Sequence, residues 1–315
     1  MCNFCGIFAA ELILFVMRNT SSAWLLSLIS IFIMACTPSA VGNTPKKDQQ
    51  SIILDESKVD ITYGAVKSVK SVCYYAHKED SKIVKDRVMP NYAVFMEPQT
   101  LREFDNDGQL VAITYYDAFS RVTRTVKNAY AEGELISSAY FDRNGDLEWT
   151  DTYTYENEQL VSFNKKEQYD SPNAQSIYEI NDNVITGVSH YYNDQLTSYE
   201  EYSYENGNLV QTVKYDESGR VTLRSAAKWT EKNQYLSFTS DMFFSNGRVL
   251  HNISEYTYNE DFLITRYEEK TDNNGIAFVF EYLSFDKQGN WLSRYIQIEG
   301  SEGCLLEERT IEYYK

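Results

Sequence analysis

The residues that could do chemistry are few and widely spaced. Three histidines, His77, His190 and His251, lie in separate stretches with no HxH or HExxH spacing. Neither a zinc-binding helix face nor a catalytic triad is spelled out by them. Carboxylates come as adjacent pairs: Glu200-Glu201, Glu268-Glu269 and Glu307-Glu308. Acid–base work on a glycosidic bond needs two carboxyls facing each other roughly 5–10 Å apart. Neighbours on a strand point to opposite faces, so these pairs predict solvated charge beside a bulge. Asp105-Asn106-Asp107-Gly108, Asp142-Arg143-Asn144-Gly145-Asp146 and Asp272-Asn273-Asn274-Gly275 resemble fragments of calcium loops. A complete loop also needs a distant bidentate Glu, which is missing, so turn chemistry accounts for them. No serine sits in a Gly-x-Ser-x-Gly elbow. No metal, no cofactor and no catalytic residue is predicted.

Two further residue types could carry function. Cys73 and Cys304 are the cysteines downstream of Cys36. An oxidising compartment permits a disulfide between them, and two unpaired small core residues is the alternative. Trp149, Trp229 and Trp291 could stack on sugars, but their alternation with polar neighbours places them on a buried face.

The elements that must position these residues announce themselves by repetition. From residue 104 onward a short phrase recurs: an aromatic, an Asp, Asn or Glu, a few polar residues often including Gly, then Leu or Val. The copies are opened by Phe104, Tyr116, Phe141, Tyr155, Tyr192, Tyr204, Tyr215, Phe244, Tyr258 and Phe285, with a weaker one at Trp229. Uninterrupted steps run from 11 residues (Tyr204 to Tyr215) to 15 (Trp229 to Phe244). In the fullest copies Asp105 precedes Gly108, Asp142 precedes Gly145, Asp216 precedes Gly219 and Asp286 precedes Gly289. A carboxylate that bonds backbone amides, followed by a glycine free to take positive φ, is a tight turn. Between turns the residues alternate with period two. Leu147, Trp149, Tyr153 and Tyr155 share one face, and Glu148, Thr150, Thr152 and Thr154 the other. Each copy thus predicts one strand and one turn, and successive strands run antiparallel.

Residues 51–103 fit as a less regular start, with strands at Val66 to Tyr75 and Tyr92 to Met96 around a loop at Met89-Pro90-Asn91. The expectation is all-β: an antiparallel meander of roughly 14–17 strands, too wide to stay flat, curled into a half-pipe or closed on itself. A membrane-spanning barrel would show a Leu/Val/Phe-rich lipid face and long loops on one side. The short turns point away from it, and a propeller would need a longer repeat with its own punctuation.

The N-terminal stretch supplies an address. Ala23 to Ala35 is apolar apart from Ser27 and Ser30, a signal-peptide length and short for a membrane span. Met17, Arg18 and Asn19 read as a start and basic n-region, and Ile33-Met34-Ala35-Cys36 resembles a bacterial lipobox. Residues 1–36 are therefore expected to be a signal peptide whose Cys36 carries the lipid, 37–50 a polar tether, and 51–315 the β domain. An outer-membrane lipoprotein follows, facing the periplasm by default, with exposure on the cell surface as the alternative. Of the 315 residues, 29 are Lys or Arg and 46 are Asp or Glu, a net charge of −17, which excludes nucleic acid as a partner.

The phrase Tyr/Phe-Asp-x-x-Gly-x-Leu/Val, and Phe285-Asp286-Lys287-Gln288-Gly289-Asn290-Trp291 in particular, resembles the YD-repeat (Rhs-like) proteins, over about residues 60–315. The similarity is to repeat lipoproteins of Bacteroidota-type bacteria and implies a β-sheet shell. No autoproteolytic core or toxin module accompanies it. Taken together, the chain is expected to be a non-enzymatic envelope lipoprotein that binds or scaffolds a protein or glycan partner. The alternative is a carbohydrate-active accessory protein or weak glycoside hydrolase, working from acidic and aromatic residues on a concave face.

Overall fold

The computed structural model describes residues 64–315 except 81, 91–96, 168–173, 183, 232–233 and 273. The expected signal peptide with Cys36, the expected tether and the strand expected at Tyr92 to Met96 lie outside the described residues. Among the described residues nineteen strands form a single antiparallel sheet. They begin with β1 (Val66–Glu79), β2 (Lys82–Val88), β3 (Gln99–Phe104), β4 (Leu110–Tyr116), β5 (Val122–Ala131) and β6 (Glu134–Asp142). Next come β7 (Leu147–Glu156), β8 (Gln159–Glu167), β9 (Ala174–Asn181), β10 (Val184–Tyr192), β11 (Gln195–Glu205) and β12 (Asn208–Asp216). The chain ends with β13 (Val221–Trp229), β14 (Tyr235–Phe243), β15 (Val249–Tyr258), β16 (Ile264–Thr271), β17 (Asn274–Phe285), β18 (Trp291–Ile298) and β19 (Cys304–Tyr313).

From β3 to β19 each strand pairs with the next, and β19 returns to β1, with Val69 opposite Ile311 and Ala76 opposite Cys304. The remaining edge of β1 is shared. Its C-terminal part pairs with β2, Tyr74 opposite Val88, and its N-terminal part with β3, Val72 opposite Gln99. Cys73 bridges the two: its carbonyl accepts from the Met89 amide (2.9 Å) and its amide donates to the Pro98 carbonyl (2.9 Å). β2 and β3 are thus two halves of one stave, and the sheet closes as a barrel of 18 staves. Closure leaves no sheet edge to pair with another chain. The sequence pattern undercounted because several hairpins lack the aromatic-to-leucine phrase, such as those at Asn181-Asp182 and Thr271-Asp272.

The turns explain the closure's regularity. In five of them the first Asp accepts through Oδ1 from the amides two and four residues on. At Asp142 these are Asn144 (2.8 Å) and Asp146 (2.9 Å). Asp105, Asp117, Asp216 and Asp286 do the same. Gly145 then bonds back to the Asp142 carbonyl with φ of 86°. In the Asp117 turn a serine, Ser120, takes that position at φ 60°. Other hairpins use two residues at positive φ, such as Asn193-Asp194 and Asn206-Gly207, the twist that suits antiparallel strands. The phrase seen in the sequence is a turn with its closing pair. Phe104 faces Leu110, Phe141 faces Leu147, Tyr204 faces Leu209 and Phe285 faces Trp291, each beside a one-residue register shift.

Alternation separates two walls. On β15, Asn252, Ser254 and Tyr256 are buried while His251, Ile253 and Glu255 are exposed. Side chains converge on the concave side of a closed sheet and splay on the convex side, so the buried wall is the inner one. The outer wall carries Lys127, Thr152, Lys166, Arg224, Glu255 and Glu268, not an apolar band. No helix among the described residues is long and apolar enough to cross a membrane.

Candidate functional site

The three Glu pairs divide between the walls as strand alternation requires. Glu201, Glu268 and Glu308 face out, and Glu200, Glu269 and Glu307 face in. The sequence reading took all six as solvated charge. That needs correcting for the inner three, because each meets partners supplied by neighbouring strands.

Glu200 has the fullest set. It sits on β11, opposite Val188 of β10 and Lys214 of β12. Its Oε1 accepts from Lys214 Nζ (2.9 Å) and from His190 Nε2 (3.3 Å), and its Oε2 accepts from the Tyr202 hydroxyl (3.0 Å). His190 Nδ1 in turn pairs with the Ser176 hydroxyl at 2.9 Å, which orients the ring toward Glu200. Burial alone would push the Glu200 carboxyl up. The His190 hydrogen bond and the Lys214 charge outweigh that and hold it at about 2. Burial also raises the phenols beside it, Tyr202 and Tyr178, so both stay protonated donors. Such a carboxylate is a fixed acceptor and cannot serve as a general acid.

Beside this cluster lies a small trough, open to solvent on one side. Leu209, Leu223, Ala227, Tyr235 and Phe238 supply its apolar lining, and Glu200, Tyr202, Thr212 and Ser225 its polar margin. Tyr235 is stacked on Trp229 with ring centroids 3.8 Å apart, and the Trp229 indole donates to the Leu209 carbonyl (2.8 Å). The platform is therefore held rigid before any ligand arrives.

The other inner carboxyls stand apart. Glu307 on β19 is bound by Arg294 of β18 at 2.8 and 2.7 Å, and Arg294 lies over Trp291 (4.5 Å). Glu269 on β16 is pushed up by burial, against the Tyr267 hydroxyl (3.2 Å) and the Asn252 amide. Asp151 is on β7. No two of these four share a strand or occupy adjacent strands. His77 and His251 bond Asp86 and Asp241 at exposed positions (3.0 and 2.6 Å). Among the described residues no cluster of three metal-ligating side chains occurs.

Cys73 and Cys304 are both buried free thiols. Cys73 lies opposite Glu307 on the inner wall, while Cys304 lies opposite Ala76 and points the other way. The two strands are neighbours, but alternation puts the sulfurs on opposite faces of the sheet. Burial, reinforced by the Glu307 charge, pushes the Cys73 thiol up to about 12. The turn residues Asp105, Asp142, Asp216 and Asp286 are occupied with their own backbone. The repeat aromatics serve the strand ends: Tyr258 donates to the Tyr235 carbonyl at 2.8 Å, and Tyr215 to Glu201 at 2.8 Å.

No family model and no curated protein matches the chain. Among solved structures it is similar to a porin-like protein from Bacteroides uniformis ATCC 8492. That match has 11% identity and a TM-score of 0.38, covering 80% of this chain and 98% of that one. A porin-like protein from Bacteroides vulgatus ATCC 8482 is similar at 8% identity and a TM-score of 0.37, covering 80% and 99%. Similarity this low carries no activity, ligand or membrane insertion over to this chain. The resemblance to YD-repeat lipoproteins is corrected by these findings. No such family model matches, and the sheet closes into one 18-stave barrel. The aromatic-Asp-Gly phrase is what a tight β-turn with an aromatic closing pair demands, and any antiparallel meander can arrive at it.

Proposed function

We propose that this chain is a non-enzymatic binding module of the cell envelope, tethered to the outer membrane by lipid on Cys36 and facing the periplasm. The observation that carries the reading is the contrast between the walls. The outer wall is charged and hydroxyl-rich, which suits water, and the inner wall offers aromatic rings with fixed polar groups beside a trough. A glycoside hydrolase is disfavoured, because the inner carboxyls are separated and the one lining the trough is locked as an acceptor. A protein or glycan partner fits such a surface.

The test is fractionation of cells making the full chain or its Cys36→Ser variant, with palmitate labelling. The wild type is expected to be labelled and to sediment with outer membranes. The variant is expected to be unlabelled and absent from the outer membrane, held at the inner membrane by its uncleaved apolar segment Ala23 to Ala35. A Cys36→Ser protein that still sediments with outer membranes and stays there through alkaline carbonate extraction would mean that the barrel itself spans the bilayer, and the reading would fall.

A further inference from the structure

We propose that the trough beside Glu200 takes the neutral saccharide end of a glycan, seating the face of a single pyranose ring, which rests on the reading of the barrel as a binding module. Three features select that chemistry. The first is charge. Glu200 is matched by Lys214 at 2.9 Å, so the margin offers no unpaired charge to attract an ion. A cationic ligand would have to displace Lys214, and an anionic one would meet the Glu200 carboxylate. A desolvated ion without a partner is costly, so a neutral ligand is favoured.

The second feature is the juxtaposition of apolar floor and polar margin. A pyranose presents an axial C–H face and an equatorial belt of hydroxyls. Phe238 and Tyr235 match the first. Glu200 as acceptor, with Tyr202, Thr212 and Ser225, matches the second. An acyl chain would use the floor but leave the Glu200 carboxylate and Tyr202 hydroxyl facing hydrocarbon. The third is rigidity. Tyr235 is backed by Trp229, and Glu200 is fixed from three sides, so little ordering remains to be done on binding.

Purified full chain is titrated with maltose, cellobiose, lactose and N,N′-diacetylchitobiose, following tryptophan emission and saturation-transfer NMR. At least one disaccharide is expected to saturate. Phe238→Ala should weaken it about tenfold. Thr212→Val should weaken it too, and His251→Ala on the outer wall should leave it unchanged. Phe238→Leu, which keeps the apolar volume and loses the ring, serves if the alanine variant fails to fold. Saccharide binding that is indifferent to Phe238 and Thr212 overturns the placement. If only the amphiphile 1-anilinonaphthalene-8-sulfonate saturates, and Phe238→Ala abolishes that, the saccharide assignment falls and the binding module stands. Absence of any saturable probe sinks both.

Discussion

At the scale of single residues, two inner carboxyls behave oppositely because their neighbours differ. Glu200 is ionised more easily in the fold than in the unfolded chain, where an ordinary Glu titrates near 4.3. Its contribution to stability is fully present above that value and is lost as pH falls toward about 2. The difference is on the order of 3 kcal/mol. Urea denaturation from pH 6 to 2 should therefore show wild type losing stability relative to Glu200→Gln across that window. Parallel curves would refute the ion-pair account. Lys214→Met should destabilise at pH 7 by about 3 kcal/mol, since it strands a buried charge. Glu269 carries the opposite sign, its carboxyl raised mainly by burial. Ionising it costs folding energy as pH rises through the ordinary Glu range. Glu269→Gln is expected to raise the denaturation midpoint at pH 7 and to change little at pH 3.

At the scale of elements, the recurring unit is a strand ending anchored to its neighbour. At the rim that holds both described chain ends, an aromatic from each of four strands donates to the carbonyl at the start of the preceding one. Tyr130 reaches Leu110 (3.0 Å), Trp229 reaches Leu209 (2.8 Å), Tyr258 reaches Tyr235 (2.8 Å) and Tyr282 reaches Ile264 (3.2 Å). These atoms are half-buried, so each bond contributes about 1 kcal/mol. Tyr258→Phe keeps the ring and loses the donor, and a midpoint shift of that size in urea is expected. The turns work differently. Asp286 holds the Gln288 and Asn290 amides and also receives the Tyr313 hydroxyl, which ties a turn to the last strand. Asp286→Ala should cost about 1–2 kcal/mol. A smaller loss from Asp105→Ala, whose carboxylate holds the matching Asp107 and Gln109 amides, would mark the side-chain contacts of Asp286 as the difference.

For the whole molecule, stability depends on closure through β1 and β19. The seam is held by ladder bonds, by Tyr314, whose amide donates to the Ala65 carbonyl (2.8 Å) and whose hydroxyl donates to the Phe104 carbonyl (2.5 Å), and by the Ser68 hydroxyl donating to Glu312 (3.4 Å). Deleting residues 304–315 removes one stave and exposes two edges, on β18 and β1. Exposed edges template pairing between chains. Light scattering should show the truncated chain as oligomers or aggregates while the full chain stays monodisperse, and a monodisperse truncation would show that the cut edges re-close.

Much of this was legible without coordinates, for local reasons. Strand and turn are decided by neighbours in sequence. Period-two alternation gave the meander, and the Asp and Gly offsets gave the turns at Asp105, Asp142, Asp216 and Asp286. The parity of Glu200-Glu201 gave one carboxyl to each wall. What only tertiary structure decided depends on residues far apart in the chain. Closure needs β1 beside β19, and the two-part stave needs β2 and β3 to share one edge. The Glu200 cluster needs Ser176, His190, Tyr202 and Lys214 from four strands, brought together by a register no short motif encodes. The same holds for the thiols. Sequence could place Cys73 and Cys304 on neighbouring strands of a closed sheet, but only the register shows a three-residue offset that turns their sulfurs to opposite faces.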